Sequence, residues 1–212
     1  MEKTYRINEI FYSLQGEGYN TGRAAVFIRF AGCNLRCPFC DTEFERYQEM
    51  TLDDIVRSVS DYPDPCHTLA VLTGGEPTLQ ADWQLVDALK KVGYEVTMES
   101  NGTMLPPDNI DFLTLSPKTP KIQVAPNTKY QKELKMVFSS KEQFEQLLHA
   151  LETSNGEAFF NFASETVSCY LQPCDTGDDE RNRQIMQDCV AYIKEHPHWR
   201  LSLQTHKLIG IK

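Results

Sequence analysis

No apolar run in the 212-residue sequence approaches the roughly eighteen residues needed to span a bilayer, so no membrane partner is expected. The opening residues, Met1-Glu2-Lys3-Thr4-Tyr5-Arg6-Ile7-Asn8, lack the basic-then-apolar order of an export signal, which predicts a cytoplasmic chain. There is no run of Lys and Arg, and 21 basic against 30 acidic residues leave a net charge of -9. An acidic surface repels phosphate backbones, so no nucleic-acid partner is expected. Repeats, low-complexity tracts and linker-like stretches are also missing. The length fits one domain over residues 1–212, able to bury a core without disulfides.

What is present is an ordinary globular composition, 41% hydrophobic and 10% aromatic, with one irregularity. Of seven cysteines, three crowd into positions 33–40. An odd count with tight clustering does not read as a disulfide framework. In a reducing compartment, clustered thiols more often hold metal or do chemistry.

Short β-branched runs alternate with amphipathic segments. Strands are expected at residues 25–30, 69–72, 94–99, 112–115, 134–138 and 169–171, with a last extended run at 201–204. Helices are expected after Thr51-Leu52-Asp53-Asp54, which reads as a capped start, then through Trp83 to Leu89, over 141–151 and over 179–193. Such alternation predicts a parallel α/β sheet with crossovers, whose ligands gather at the carboxyl ends of the strands. The cysteine loop, Thr73-Gly74-Gly75-Glu76-Pro77, Glu99-Ser100-Asn101-Gly102 and Ser116-Pro117-Lys118 each follow an expected strand. They should converge on one rim.

Cys33-x3-Cys37-x2-Cys40 offers three thiolates at uneven spacing. The common iron–sulfur cage takes four cysteines, so a cluster held by three leaves one iron open. The competing reading is a zinc site completed by Cys66, Cys174 or a histidine. The two glycines of the Thr73 turn permit a tight bend and close backbone approach, and Pro77 is placed to open a helix. Glu76 could face a ligand ammonium or favour the positive end of its own helix.

The three-cysteine spacing resembles the radical S-adenosylmethionine (SAM) superfamily, and Thr73-Gly74-Gly75-Glu76-Pro77 is similar to its Gly-Gly-Glu element. That resemblance implies a [4Fe-4S] cluster on Cys33, Cys37 and Cys40, with SAM on the open iron. It places SAM against Phe39, Cys40, Asp41, Gly74, Gly75, Glu76, Ser100, Ser116, Pro117 and Lys118. Reductive cleavage of SAM would release a 5′-deoxyadenosyl radical.

Phe11-Tyr12-Ser13-Leu14-Gln15-Gly16-Glu17-Gly18, Arg29, Cys40-Asp41-Thr42, Leu171-Gln172-Pro173 and the closing Arg200 to Lys207 carry a narrower resemblance along most of the chain. They resemble the 7-carboxy-7-deazaguanine synthase family of queuosine and 7-deazapurine biosynthesis. This implies an incomplete TIM-like βα barrel, a homodimer and a reductant such as flavodoxin or ferredoxin. The implied substrate is 6-carboxy-5,6,7,8-tetrahydropterin, contracted to 7-carboxy-7-deazaguanine with loss of ammonia. Leu14, Gln15, Gly16, Glu17, Arg29, Thr73 and the backbone carboxylate of Lys212 are the implied substrate contacts, and Thr42 the Mg2+ position.

The residue chemistry suits that substrate. A carboxylate such as Glu17 can accept paired N–H donors from a guanidine-like edge, and Arg29 offers a planar fork to a carboxylate. Arg29 could equally sit in a structural ion pair, and Thr42 could bond within its own loop. His206 and Gln204 could close the pocket or merely pack, while Trp83 and Trp199 read as packing residues. A glycyl-radical activase shares the cysteine spacing but would need a groove for a partner protein. A metal-bound interaction module is the non-enzymatic alternative.

Overall fold

The computed structural model describes residues 3–40, 42–43, 45–123, 125 and 128–212. In chain order the elements are β1 (Thr4–Leu14), β2 (Ala24–Phe30), β3 (Gln48–Thr51), α1 (Leu52–Ser60), β4 (Leu69–Gly74), α2 (Trp83–Val92), β5 (Glu95–Ser100), β6 (Phe112–Leu115), β7 (Gln131–Phe138), α3 (Lys141–Asn155), α4 (Glu157–Ser164), β8 (Ser168–Pro173), α5 (Asp179–Glu195), β9 (Trp199–Leu201) and α6 (Thr205–Ile209). The strands form one sheet in the order β3-β1-β2-β4-β5-β6-β7-β8-β9. From β2 to β9 every neighbouring pair is parallel, while β1 is antiparallel to both β2 and β3. The terminal strands β3 and β9 do not pair, so the βα barrel stays open.

Burial explains the central strands. Leu69, Ala70, Val71 and Leu72 of β4 are all fully buried, the continuous apolar run of a parallel strand covered on both faces. Helix starts follow local capping. Thr51 Oγ1 accepts from the Asp54 amide at 3.2 Å while the Asp54 carboxylate accepts from the Thr51 amide at 3.1 Å, a reciprocal box. Asp82 caps α2 through the Leu85 amide at 3.0 Å, and Asp178 caps α5 through that of Arg181 at 2.9 Å.

Several details depart from the sequence reading. Strands β1 and β3 were not expected: β1 is half-exposed with a register shift between Ile7 and Glu9, which blurs its alternation. Pro77 opens only a short 3-10 turn, Pro77–Leu79, and α2 begins later at Trp83. The extended run expected at 201–204 ends at Leu201, and a short helix, α6, follows it. There Ser202 turns its amide to Leu171 O at 2.9 Å and its hydroxyl to Gln172 Oε1 at 2.9 Å, drawing the chain over the mouth of the sheet. Trp199 is buried in the core, but Trp83 is 59% exposed and packs little.

Candidate active site

The carboxyl ends of the parallel strands open on a cavity of about 630 Å3. All four segments expected on one rim contribute to its wall: Cys33, Cys37 and Cys40 after β2, Thr73 to Gly75 at the end of β4, Glu99 to Asn101 at the end of β5, and Ser116 and Lys118 after β6. Strand β1 adds Glu9 and Phe11, with Leu14 to Glu17 at its end, and the chain after β9 adds Gln204, His206 and Lys212.

The cysteine loop is lightly tied. The Cys40 amide donates to Cys37 O at 3.1 Å, and Cys33 Sγ accepts the Leu35 amide at 3.4 Å. Burial, reinforced by Glu76 and Cys40, pushes the Cys33 thiol up despite that amide. Burial also raises Cys37, with Cys40 and Cys33 adding to it against the nearby Lys118 charge. Their mutual influence places the three sulfurs in one neighbourhood. Thiols held protonated in this way must release protons when they bind metal. Among the described residues, no three or more His, Cys, Asp or Glu side chains close around a single metal ion. Three thiols facing an open cavity from one loop suit a multi-iron cluster better than a tetrahedral zinc ion. Cys66, one candidate fourth zinc ligand, lies near Gly93 at the start of β4, away from this rim; Cys174 does share the cavity.

The Thr73 turn presses against the root of that loop. A Cβ on Gly75 would lie 2.0 Å from Gly32 O, and one on Gly74 would lie 2.2 Å from Phe30 O. Only glycine permits this approach, and Gly74 also has φ +126°. The Gly75 amide donates to Phe30 O at 3.0 Å and the Glu76 amide to Gly32 O at 2.9 Å. Glu76 itself is fully buried and lies behind the cavity wall. Its Oε1 accepts from the Thr78 amide at 3.1 Å, the Thr78 hydroxyl at 2.6 Å and the Ser100 hydroxyl at 2.8 Å. Its Oε2 accepts from the Asn101 amide at 2.8 Å. This carboxylate therefore binds two rim loops together. The reading in which Glu76 serves the positive end of its own helix holds only for the 3-10 turn it caps.

The same cavity wall carries a charge cluster around a buried lysine. Lys135 Nζ, on β7, is 2.5 Å from Glu17 Oε2 and 3.6 Å from Glu99 Oε1. Burial works to raise the Glu17 carboxyl, but the Lys135 charge and hydrogen bonds from Lys135, Gln204 and Gln172 hold it at about 2. Burial alone would lower Lys135; Glu17 and Glu99 overcome it and raise it strongly. Lys118 is the converse case: burial and repulsion from Lys135 bring it down to about 8, although Cys37, Glu17 and Glu99 oppose the shift. Its ammonium donates to Ser116 O at 2.8 Å and Ser116 Oγ at 2.5 Å.

On the β1–β2 wall, Glu9 and Arg29 are cross-strand partners, with Arg29 Nε 2.9 Å from Glu9 Oε1. The ion-pair reading of Arg29 thus holds for one nitrogen, while an amino group of the fork lies 3.4 Å from Thr42 Oγ1. Glu9 Oε2 also pairs with the Lys212 ammonium, and Lys212 O accepts the Ser13 hydroxyl at 2.6 Å. The tail is tied down further where Thr205 donates to Gly16 O through its amide at 3.0 Å and its hydroxyl at 2.9 Å.

Comparison with known proteins settles the family. The model of the radical SAM superfamily matches residues 27–168, from the second strand through the turn of glycines to β8. A 7-carboxy-7-deazaguanine synthase from Bacteroides thetaiotaomicron is 45% identical over 207 residues, covering 98% of this chain and 98% of its own. One from Caulobacter vibrioides is 38% identical over 229 residues, covering 98% and 99%. The chain belongs to the 7-carboxy-7-deazaguanine synthase family. The crystal structure of QueE from Escherichia coli superposes with a TM-score of 0.68 at 27% identity, covering 94% of this chain and 93% of that one. Membership of the radical SAM superfamily brings with it a [4Fe-4S] cluster and SAM, and the three thiols of the Cys33 loop are available to hold the cluster.

Of the residues singled out from sequence, Leu14, Gln15, Gly16, Glu17, Arg29, Phe39, Thr42, Thr73, Gly74, Gly75, Ser100, Ser116, Lys118 and Lys212 share the cavity with the three cysteines. Glu76 and Pro117 do not line it. Asp41 lies outside the described residues. Sequence reasoning passed over Lys135 and Glu9. Neither sits in a recognisable motif, and only a charged residue within the apolar run of β7 could have marked Lys135.

Proposed function

We propose that this protein is a radical SAM lyase that converts 6-carboxy-5,6,7,8-tetrahydropterin to 7-carboxy-7-deazaguanine with loss of ammonia. The observation that carries the proposal is one cavity whose lining brings three cysteines together with half-buried carboxylates and an arginine fork. When bound, the cluster supplies the electron that cleaves SAM and so generates the hydrogen-abstracting radical.

The chain's own residues bind and orient. Gly74 and Gly75 bring backbone against the methionyl end of SAM. Ser100, held by Glu76 at 2.8 Å, Ser116 and Lys118 serve its polar groups, with Phe39 and Asp41 as further SAM contacts. Pro117 shapes the loop that carries Lys118. Glu17, kept ionised, accepts from the pterin's guanidine-like edge alongside Gln15, Gly16, Leu14 and Thr73. Arg29, steadied by Glu9, offers its remaining nitrogens to the substrate carboxylate. Thr42, beside Arg29, would offer a protein oxygen to Mg2+, an ion that commonly completes its shell with water and substrate oxygens. The Lys212 end of the chain closes the pocket.

The remaining assignments belong to the same proposal: a single domain, a homodimer, reduction by a flavodoxin or ferredoxin, and a cytoplasmic location. No helix among the described residues is long and apolar enough to cross a membrane. The test is an anaerobic assay of reconstituted protein with reductant, SAM, Mg2+ and 6-carboxytetrahydropterin, read by mass spectrometry. Formation of 7-carboxy-7-deazaguanine is expected. SAM cleavage with the pterin left intact would sink the substrate assignment and leave the radical chemistry standing.

A further inference from the structure

Lys135 stands in β7 between Leu134 and Met136, both buried, and is itself only 5% exposed. A lysine in such surroundings needs a reason. Net stability is a poor one, because the desolvation of a buried ion pair commonly offsets its attraction. Its geometry suggests another. Its ammonium lies between two carboxylates from different elements, 2.5 Å from Glu17 after β1 and 3.6 Å from Glu99 on β5.

Both carboxylates face the cavity and are braced from other directions. Gln204 Nε2 donates to Glu17 Oε1 at 3.1 Å. Gln15 Nε2 and the Thr73 hydroxyl donate to the two oxygens of Glu99, each at 3.1 Å. Every carboxylate oxygen carries more than one acceptor site, so both groups keep capacity toward the cavity once these bonds are made. One shared cation therefore sets the spacing of two anionic acceptors and leaves their outer lone pairs free.

We propose that Lys135 is a positioning residue: it holds Glu17 and Glu99 at fixed separation, so that together they accept the neighbouring N–H donors of an aminopyrimidinone ring. The inference rests on the pterin reading above and extends it to Glu99 and Lys135. The selectivity is chemical. Paired carboxylates bind an edge rich in donors and repel one that presents carbonyl oxygens. The cysteine loop and the glycine turn, which serve SAM, do not depend on this spacing, and Lys118 feels Lys135 only as repulsion, so removing that charge does not weaken it.

The experiment compares wild type with Lys135→Gln, Lys135→Met and Lys135→Arg as cluster-loaded protein. Calorimetry measures binding of 6-carboxypterin, an oxidised analogue, and separately of SAM; KM and kcat are taken with the tetrahydro substrate. Circular dichroism and thermal melting report folding. Wild type binds 6-carboxypterin first; if it does not, the pterin reading itself fails, and this role with it. Given that binding, Lys135→Gln weakens the analogue by about tenfold, the worth of a charge-assisted hydrogen bond. KM rises in step and SAM affinity does not fall. Lys135→Met loses more, and Lys135→Arg recovers most of the affinity.

The proposal is overturned if a folded Gln or Met variant binds 6-carboxypterin as tightly as wild type. It is equally overturned if SAM affinity falls in parallel, which would mark a general disturbance of the cavity. If both uncharged variants fail to fold while Lys135→Arg folds, Lys135 is a counter-ion for folding and the positioning role is wrong.

Discussion

On the cysteine side of the cavity, the reactive groups hang from a loop with few bonds of its own, and Cys40 is exposed. On the floor, Glu17, Glu99 and Lys135 are braced by one another and by Gln15, Thr73 and Gln204. The two regions reach order by different routes. Thiols gain their strongest bonds from metal, so the loop needs only to present them at the right spacing. An organic ring recognised by hydrogen bonds gains most from groups already fixed, because ordering them during binding would cost affinity.

That contrast can be broken at several points, beginning with the largest effect. Cys33→Ala, Cys37→Ala or Cys40→Ala should each abolish turnover and cluster incorporation, read from iron and sulfide content. Melting of the metal-free protein should shift by no more than about 0.5 kcal/mol, as for a lightly packed surface change. A large loss of stability in the metal-free variants would show that the loop is structurally braced after all.

Glu76→Gln tests the joint between the two regions. An amide cannot accept at all four positions now met by Thr78, Ser100 and Asn101, so the folded state should lose about 1.5–3 kcal/mol in urea unfolding. Affinity for SAM should fall with it, because Ser100 and Asn101 lose their anchor. Gly75→Ala forces a Cβ onto Gly32 O and should cost about 1–3 kcal/mol, with cluster incorporation impaired as the loop root shifts. An alanine variant with native stability would mean that the turn and the cysteine loop move independently.

The narrowest effect, confined to acid pH, is on pH dependence. The folded Glu17 carboxyl lies at about 2, below its ordinary 4.5, so its contribution to stability is complete above pH 4.5 and is lost as pH falls toward 2. Denaturant midpoints taken stepwise through that window should decline in wild type and decline less in Glu17→Gln. Equal slopes in the two proteins would remove Glu17 from the acid response.

Much of the site was legible before the fold was known because its residues are crowded into short motifs. Cys33-x3-Cys37-x2-Cys40 and Thr73-Gly74-Gly75-Glu76-Pro77 each demand particular residue types at fixed spacing, and both sit after strands whose apolar runs are plain. The direction of Glu76 was not legible. A carboxylate at the end of a strand can point into a cavity or back toward Ser100 and Asn101, and the competition between those partners is settled 24 residues away in the chain. Strand β1 escaped for a different reason: at the margin of the sheet its faces are unequally covered, and the alternation expected of a half-buried strand is weak.

Local chemistry in the sequence was enough to specify the central parallel strands and most of the helices between them, the cysteine loop, the glycine turn and the family, since each depends on neighbours a few residues apart. Assembly of the sheet decided which distant charges meet. Glu17, Glu99 and Lys135 are separated by 118 residues at the widest pair, and no spacing rule relates them. They share one cation because parallel strands carry β5 and β7 toward the same interior, and the loop after β1 folds across their ends. The tail is placed in the same way. Gln204, Thr205 and Lys212 reach Glu17, Gly16 and Glu9 only after β9 has joined the far edge of the sheet.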